Sequence, residues 1–274
     1  MERIVIVGGG LAGASAAEQL RTKGFDGEVH LFAAEHHNPY IRPPLSKEYV
    51  TGKGSRNSIF VHPEHWYREN GIVVATGTRA VALDPRGHEL TLHGGRVVAY
   101  DRLLLATGAV PRRLDVDGGE ARGIHYVRTV EDSENLRDAL ASGNRKVVVI
   151  GGGWIGLELA AAARGYGNPV TVVTRDAVPL ESALGPELGG MFRGLHESNG
   201  VTFHVETGIH SFEHRDGRVT AVVTDAGTLP ADIVIVGVGA IPDTALAERA
   251  GLAVDNGVLV NEHLASTHPV KPGI

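Results

Sequence analysis

Along the first half of this chain, segments whose hydrophobic residues have the pattern of β-strands alternate with segments whose hydrophobic residues have the spacing of α-helices. Short runs rich in β-branched residues predict strands over 3–7, 28–32, 71–75, 79–83, 89–92 and 102–106. Between some of them, apolar residues at helical spacing predict helices over 13–23 and 63–70, each followed by a glycine as a stop signal. Strands that alternate with helices in this way favour an α/β fold.

The same kind of order returns in the second half. Strands are predicted over 146–150, 170–173, 201–205 and 231–236, and helices over 155–163 and 186–199. The two sets meet at 107–111 and again at 238–242, where a predicted strand runs into glycine and proline. We therefore predict that a second domain, 111–240, is inserted into a first domain made of 1–110 and 241–274.

Each half carries the same glycine pattern between its first strand and the helix that follows. The six glycines are Gly8, Gly10 and Gly13 in the first half and Gly151, Gly153 and Gly156 in the second. In this pattern the first glycine makes a tight turn, the second lets the backbone approach a pyrophosphate, and the third lets the helix pack closely on the strand. The sequence therefore predicts two Rossmann-like domains, each with a dinucleotide site.

Composition excludes several other functions. The 274 residues include no cysteine, so the chain cannot form a redox disulfide or use a cysteine nucleophile, and it cannot hold an iron–sulfur cluster through thiolates. A formal net charge of −6 and an aromatic content of 5% argue against nucleic-acid binding. The 14 histidines lack the paired spacing of metal ligands, so we expect no metal site. Neither a signal peptide nor an apolar run of bilayer length is found, which predicts no membrane association and a cytoplasmic location.

Residues 42–47 read Arg-Pro-Pro-Leu-Ser-Lys, and with the two glycine patterns they resemble the signature of FAD-dependent ferredoxin reductases. These are the oxygenase-coupled group of the pyridine nucleotide-disulfide oxidoreductase superfamily, and the resemblance runs from residue 3 to about residue 269. It implies that FAD binds at the first glycine pattern and NADPH or NADH at the second. It also implies that electrons pass through FAD to a [2Fe-2S] ferredoxin that serves an oxygenase.

The resemblance also assigns residues to the FAD site. The pyrophosphate would lie at the first glycine pattern, and Glu35 would replace the ribose-binding carboxylate that the family has at the position of Ala34. Lys47 would stabilise negative charge on the reduced flavin, which makes it the first of two catalytic candidates. The further residues implied at FAD are Arg42, Pro44, Thr107, Gly108 and Arg112.

At the second site the resemblance places Glu158 beside the nicotinamide, where it would pair with Lys47 as the second catalytic candidate, and it places Gly239 and Pro242 along the same cleft. The strand 170–173 is followed by Thr174 and Arg175, where relatives that prefer NADH often have an acidic residue. An arginine there favours the 2′-phosphate of NADPH.

The same motifs leave other functions open. The acceptor could instead be nitrite- or rubredoxin-linked, and a shortened chain could be a nucleotide-binding or redox-signalling protein without turnover. Family members continue past Thr267 and Pro269 into a further strand and a C-terminal interface domain, and this sequence does not follow that pattern. We expect truncation and, because an uncovered sheet edge seeks a partner, weak FAD binding or a homo-oligomer that covers the gap.

Overall fold

The computed structural model describes residues 1–266, so the expectation about Thr267 and Pro269 lies outside the described residues. The chain forms two compact units. Among the described residues, the first contains 1–42, 57–110 and 241–266, and the second contains 43–56 and 111–240. The segment 43–56, which was expected in the first domain, therefore groups with the second unit.

The elements of the chain up to residue 111 are β1 (Arg3–Val7), α1 (Leu11–Thr22), β2 (Glu28–Phe32), α2 (Glu64–Glu69), β3 (Ile72–Ala75), β4 (Ala80–Asp84), β5 (Glu89–Leu92), β6 (Val97–Ala99), β7 (Arg102–Leu105) and β8 (Ala109–Pro111). The first unit is built on a parallel sheet of four of these strands, in the order β3-β2-β1-β7. A second sheet of three antiparallel strands has the order β4-β5-β6.

The elements of the second unit are β9 (Ile124–His125), α3 (Val130–Leu140), β10 (Val147–Ile150), α4 (Trp154–Gly165), β11 (Val170–Val173), α5 (Glu181–Ser198), β12 (Val201–His204), β13 (Ile209–Arg215), β14 (Arg218–Thr224), β15 (Gly227–Pro230) and β16 (Ile233–Val236). They repeat the plan of the first unit, with a parallel sheet of five strands in the order β12-β11-β10-β16-β9 and an antiparallel sheet in the order β13-β14-β15. The chain then continues through β17 (Ala240–Pro242), α6 (Ala245–Arg249), β18 (Val254–Asp255) and β19 (Gly257–Val258).

Central strands of both parallel sheets are buried on both faces, which explains their continuous apolar sequences. All four residues of β10 and all four of β16 are buried. In the first unit Val5 and Ile6 of β1 are fully buried. The α/β fold with two Rossmann-like units is therefore confirmed, and the carboxyl end of each central strand leads into a glycine turn.

Apart from shifts of one or two residues at helix ends, three helices differ from the predictions, and one of them, α6, was not expected. The helix predicted over 186–199 corresponds to the part of α5 that follows a kink at Gly185, where φ is +77° and Pro186 comes next. The helix α3 was not predicted, although its start has a capping box in which Thr129 accepts from the Asp132 backbone and Asp132 accepts in return. Within residues 1–266, no helix has both the length and the apolar character needed to cross a bilayer.

Candidate functional site

The first glycine turn joins β1 to α1, and its three glycines have different surroundings. A Cβ at Gly8 would lie 2.0 Å from the carbonyl oxygen of Ala106, and a Cβ at Gly13 would lie 2.1 Å from the carbonyl oxygen of Gly8. A Cβ at Gly10 would meet nothing within 4 Å. Gly10 is also the N-cap residue of α1, which begins at Leu11, so the unpaired N–H groups of the first helical turn lie next to this open space. The turn therefore fits a pyrophosphate beside Gly10.

The second glycine turn, between β10 and α4, has the same geometry. Gly151 has φ of +105°, and a Cβ there would lie 2.4 Å from the carbonyl oxygen of Gly237. A Cβ at Gly156 would lie 2.2 Å from the carbonyl oxygen of Gly151, whereas Gly153 again faces open space. Each unit therefore has a turn closed by two glycines and open at the third, which fits a dinucleotide phosphate at both places.

A carboxylate, a phenol and a guanidinium lie together next to the first glycine turn. Arg42 Nη2 is 2.6 Å from Glu35 Oε1, and Arg42 Nη1 donates to the Tyr40 hydroxyl at 2.6 Å. The Tyr40 hydroxyl in turn donates to Glu35, and the Tyr40 backbone pairs with Gly10. The structure thus brings Glu35 and Arg42 into one cluster at this turn. Tyr40, fully buried between them, was not identified from the sequence because only the fold places it there.

Thr107 and Gly108 lie just after β7, next to the segment that contains Pro242. The Thr107 hydroxyl donates to the carbonyl oxygen of Asp243 at 2.6 Å, and the Asp243 N–H donates to the carbonyl oxygen of Gly108 at 2.9 Å. These bonds bring Thr107 and Gly108, both assigned to FAD, next to Pro242, which was expected along the nicotinamide cleft and belongs to the first unit instead. Because the Thr107 hydroxyl donates its one proton to Asp243, it can only accept further hydrogen bonds.

The second unit contains the expected pairing of Lys47 with Glu158. Lys47 Nζ lies 2.8 Å from Glu158 Oε1, and the Ser46 hydroxyl donates to Glu158 Oε2 at 2.6 Å. Glu158 projects from α4 two residues after Gly156, the last glycine of the second turn. The pair is therefore attached directly to this glycine turn. Ser46, for which the resemblance implied a place near the flavin beside Lys47 but no role, is a third member of the cluster.

Lys47 is held in the second unit because the segment 43–56 is anchored there at several points. The Leu45 carbonyl accepts from the Ser133 hydroxyl at 2.7 Å, and the Val50 carbonyl accepts from the Tyr166 hydroxyl at 3.0 Å. Pro44, the other residue of this segment assigned to the flavin, is buried in the 3₁₀ helix Pro43–Ser46. Burial raises the pKa of Tyr49, as does its hydrogen bond to Glu134 at 2.5 Å, which keeps that phenol a neutral donor.

A cleft of about 450 Å³ opens at the second glycine turn. Its walls include the three glycine positions 151–153, the end of β11, the strand end 237–239, and Arg112. The Arg112 N–H donates to the carbonyl oxygen of Gly239 at 2.9 Å. The structure therefore places Arg112, which the resemblance assigned to FAD, in the wall of the second unit's cleft beside Gly239.

The end of this cleft beyond β11 is lined by Thr174, Arg175 and Asp176. Thr174 is buried and its hydroxyl accepts from the Asp176 N–H at 3.3 Å, so it shapes the loop, while Arg175 is exposed. The Gly208 N–H chiefly lowers the pKa of the nearby Asp225, with contributions from His210 and the charge of Arg175. Asp176 directly follows Arg175 and was not predicted to line this cleft, because the ribose-binding acidic residue is expected at 174–175.

No group of three or more His, Asp or Glu side chains suited to a metal ion is found among residues 1–266. The functional groups are instead two glycine turns at the carboxyl ends of parallel sheets and an amine–carboxylate pair. Together they define the class: an α/β protein with two dinucleotide sites, the arrangement of flavin- and nicotinamide-using oxidoreductases.

A sequence profile of the pyridine nucleotide-disulphide oxidoreductases matches residues 2–270. The chain therefore belongs to the pyridine nucleotide-disulphide oxidoreductase family, as its motifs indicated. Ferredoxin reductases of this family use FAD and NAD(P)H, the two cofactors expected from the sequence.

Curated relatives and solved structures agree with this assignment. The chain is 41% identical to rhodocoxin reductase of Rhodococcus erythropolis over 95% of its residues, and 40% identical to rubredoxin–NAD(+) reductase of Pseudomonas putida over 96%. It superposes on a crystal structure of a covalent putidaredoxin reductase–putidaredoxin complex with a TM-score of 0.93 at 39% identity over 97% of the chain. It spans 61%, 69% and 65% of the lengths of these three proteins.

Proposed function

We propose that the protein is an NAD(P)H-dependent flavoprotein reductase that passes electrons through FAD to a [2Fe-2S] ferredoxin serving an oxygenase. The observation that carries the proposal is the joint presence of two open glycine turns and the Lys47–Glu158 pair. Because the chain has no cysteine, an internal disulfide cannot receive the electrons, which favours a separate acceptor protein. The relatives named as redox-protein reductases support the same function.

The residues of this chain divide the work between binding and positioning. The first glycine turn, with Glu35 and Arg42 beside it, would hold FAD, and the second turn with its cleft would hold the pyridine nucleotide. FAD, when bound, supplies the step from a hydride donor to single-electron release. Lys47 would provide positive charge toward the reduced flavin, and Glu158 keeps its ammonium in place.

An absorption spectrum tests this function directly. The purified protein, titrated with FAD, is expected to bind it and to bleach without oxygen when one equivalent of NADPH per flavin is added. At least two equivalents of oxidised [2Fe-2S] ferredoxin, each accepting one electron, should then restore the absorption of the oxidised flavin. A preparation that binds NADPH but takes up no flavin would contradict the proposal and would favour a nucleotide-binding protein without turnover.

We further propose that NADPH is the preferred reductant, because Arg175 lines the cleft just after β11, where the resemblance implies that the nucleotide ribose binds. Arg175→Ala is expected to lower kcat/KM for NADPH by about 10- to 100-fold, the loss of one charge-assisted hydrogen bond, and to change the value for NADH by less than about twofold. Steady-state turnover with each nucleotide measures both. Arg113→Ala, at an exposed arginine outside the cleft lining, is the matched control, and a strong NADH preference of the unaltered protein would refute the proposal.

For the acceptor, we propose that exposed basic residues of the segment 43–56 attract an acidic ferredoxin, which raises the association rate. Lys53→Glu is expected to lower kcat/KM for the ferredoxin about tenfold at low ionic strength and to have little effect at about 0.5 M salt, where charges are screened. Lys23→Glu makes the same change of net charge on the exposed end of α1 and serves as the control. Equal effects of the two variants would contradict a local docking site.

A rubredoxin-linked function is the second candidate, supported by the 40% identity to rubredoxin–NAD(+) reductase. The two acceptors are distinguished by assaying the same FAD-loaded preparation with a [2Fe-2S] ferredoxin and with a rubredoxin. We expect the higher kcat/KM with the ferredoxin. A preference for rubredoxin would replace the acceptor in the proposal and leave the flavin and nucleotide sites unchanged.

A further inference from the structure

The Ser46 hydroxyl contacts the oxygen of the Glu158 carboxylate that Lys47 does not contact. It is buried, and it has two acceptors in reach: Glu158 Oε2 at 2.6 Å and the Pro43 carbonyl at 3.5 Å. A hydroxyl has one proton to donate, and a bond from O–H to a carboxylate at 2.6 Å has the length of a strong charge-assisted bond. The proton therefore goes to Glu158.

The 3₁₀ helix Pro43–Ser46 allows neighbouring residues to approach one carboxylate from two sides. The helix ends at Ser46, which is buried, and the next residue, Lys47, is exposed. The Lys47 N–H donates to the Pro44 carbonyl at 3.0 Å, which continues the turn. Ser46 and Lys47 thus each meet a different oxygen of Glu158.

The ion pair alone would fix Lys47 poorly. The Lys47 side chain is 48% exposed, and exposed ion pairs add little to the order of a flexible lysine stem. A carboxylate with both oxygens engaged is different, because it cannot rotate away from the amine without losing a buried hydrogen bond.

We propose that Ser46 is a positioning residue: by holding Glu158 Oε2, it keeps the carboxylate in the orientation that fixes the Lys47 ammonium. This inference rests on the function proposed above for Lys47. It assigns a role to a residue that contacts neither nucleotide in the proposed function, and its effect reaches the reaction only through Glu158 and Lys47.

The test measures Lys47 itself rather than turnover. Acylation by a limiting amount of an N-hydroxysuccinimide ester at fixed pH, followed by peptide mass spectrometry, gives the ratio of the Lys47 rate to that of exposed Lys53. Ser46→Ala is expected to raise this ratio by about 3- to 10-fold, because the amine spends more time away from Glu158. Ser46→Thr retains the hydroxyl and should restore the ratio of the unaltered protein.

Three further variants make the result specific. Thr51→Val removes another hydroxyl of the same segment, one that donates to the Glu48 carbonyl, and should leave the ratio unchanged. Glu158→Gln should itself raise the ratio, and adding Ser46→Ala to it should raise it no further, since both act through one carboxylate. Ser46→Cys, with a weaker donor of similar size, should give an intermediate value and is used if Ser46→Ala does not fold.

An unchanged ratio in folded Ser46→Ala would overturn the proposal, and so would an additive rise on top of Glu158→Gln or a failure of Ser46→Thr to restore the ratio. In FAD-loaded protein, Ser46→Ala should also slow flavin reduction by about 3- to 10-fold with an unchanged Kd for NADPH. The labelling needs neither FAD nor turnover, so a failure of the proposed reductase function is recognised separately.

Discussion

Gly156→Ala is expected to destabilise the second unit severely, whereas Gly153→Ala, three residues earlier, should leave it folded and remove nucleotide binding. The Cβ added at Gly156 would lie 2.2 Å from the carbonyl oxygen of Gly151. That overlap is with backbone, so no side-chain rotation relieves it, and the helix α4 must move off the strand β10. We expect a loss of about 3 kcal/mol or more in the free energy of unfolding.

Gly153 shows the opposite behaviour because its φ of −80° suits any residue and its Cβ would meet nothing within 4 Å. Alanine there should cost less than about 1 kcal/mol as a poorer residue to begin the helix. The methyl group would occupy the space through which phosphate oxygens reach the N–H groups of α4, so the Kd for NADPH should rise about 10- to 100-fold. Thermal unfolding and titration calorimetry separate the two effects.

The first unit supplies the matched pair. Gly13→Ala and Gly10→Ala should divide in the same way, with the loss of binding now for FAD, because a Cβ at Gly13 meets the Gly8 carbonyl and one at Gly10 meets nothing. Gly153→Ala should leave FAD uptake unchanged. A Gly153→Ala protein that is folded and binds NADPH with unaltered affinity would exclude the second turn as the pyrophosphate site.

Local sequence was sufficient for the elements whose pattern is unbroken. The strands β1, β2, β5 and β11 have the bounds that were predicted. The run of strand-forming residues ends at a glycine or a polar residue in β1, β5 and β11, and at two alanines in β2. The helix α3 was missed because it contains only a few apolar residues, and its capping box at Thr129 was the remaining signal. The strands β13 and β14 place polar residues on exposed positions, and a bulged register weakens their alternation.

The site was predictable only where a motif marks it. The glycines are found by spacing, and the Lys47–Glu158 pair by resemblance, but their contact joins residues far apart in sequence. The same is true of the Ser133 hydroxyl, which binds the Leu45 carbonyl and keeps 43–56 in the second unit. No local pattern contains such long-range contacts. The position of Tyr40 beside Gly10 and the contact of Ser46 with Glu158 were missed for this reason.

Lys47→Met is expected to slow the reduction of FAD by NADPH about 100-fold while FAD and NADPH still bind. Methionine has a side chain of similar length without the charge, so the packing of the turn is kept and the electrostatic stabilisation of the reduced flavin is lost. One pre-organised charge or hydrogen-bond donor at a developing negative charge contributes about 3 kcal/mol, or roughly 100-fold in rate. Stopped-flow spectroscopy of FAD-loaded protein, without oxygen, measures the rate.

Glu158→Gln distinguishes charge from position. Glutamine leaves the Lys47 charge in place but weakens its attachment, because the pair at 2.8 Å becomes a neutral amide contact. Its rate should therefore fall less than that of Lys47→Met, by about tenfold. Lys53→Met, at an exposed lysine of the same segment, controls for the loss of one positive charge and should reduce flavin at the unaltered rate. If Lys47→Met also matched that rate, Lys47 would have no part in flavin reduction, and the pair with Glu158 would serve only to attach the segment 43–56 to the second unit.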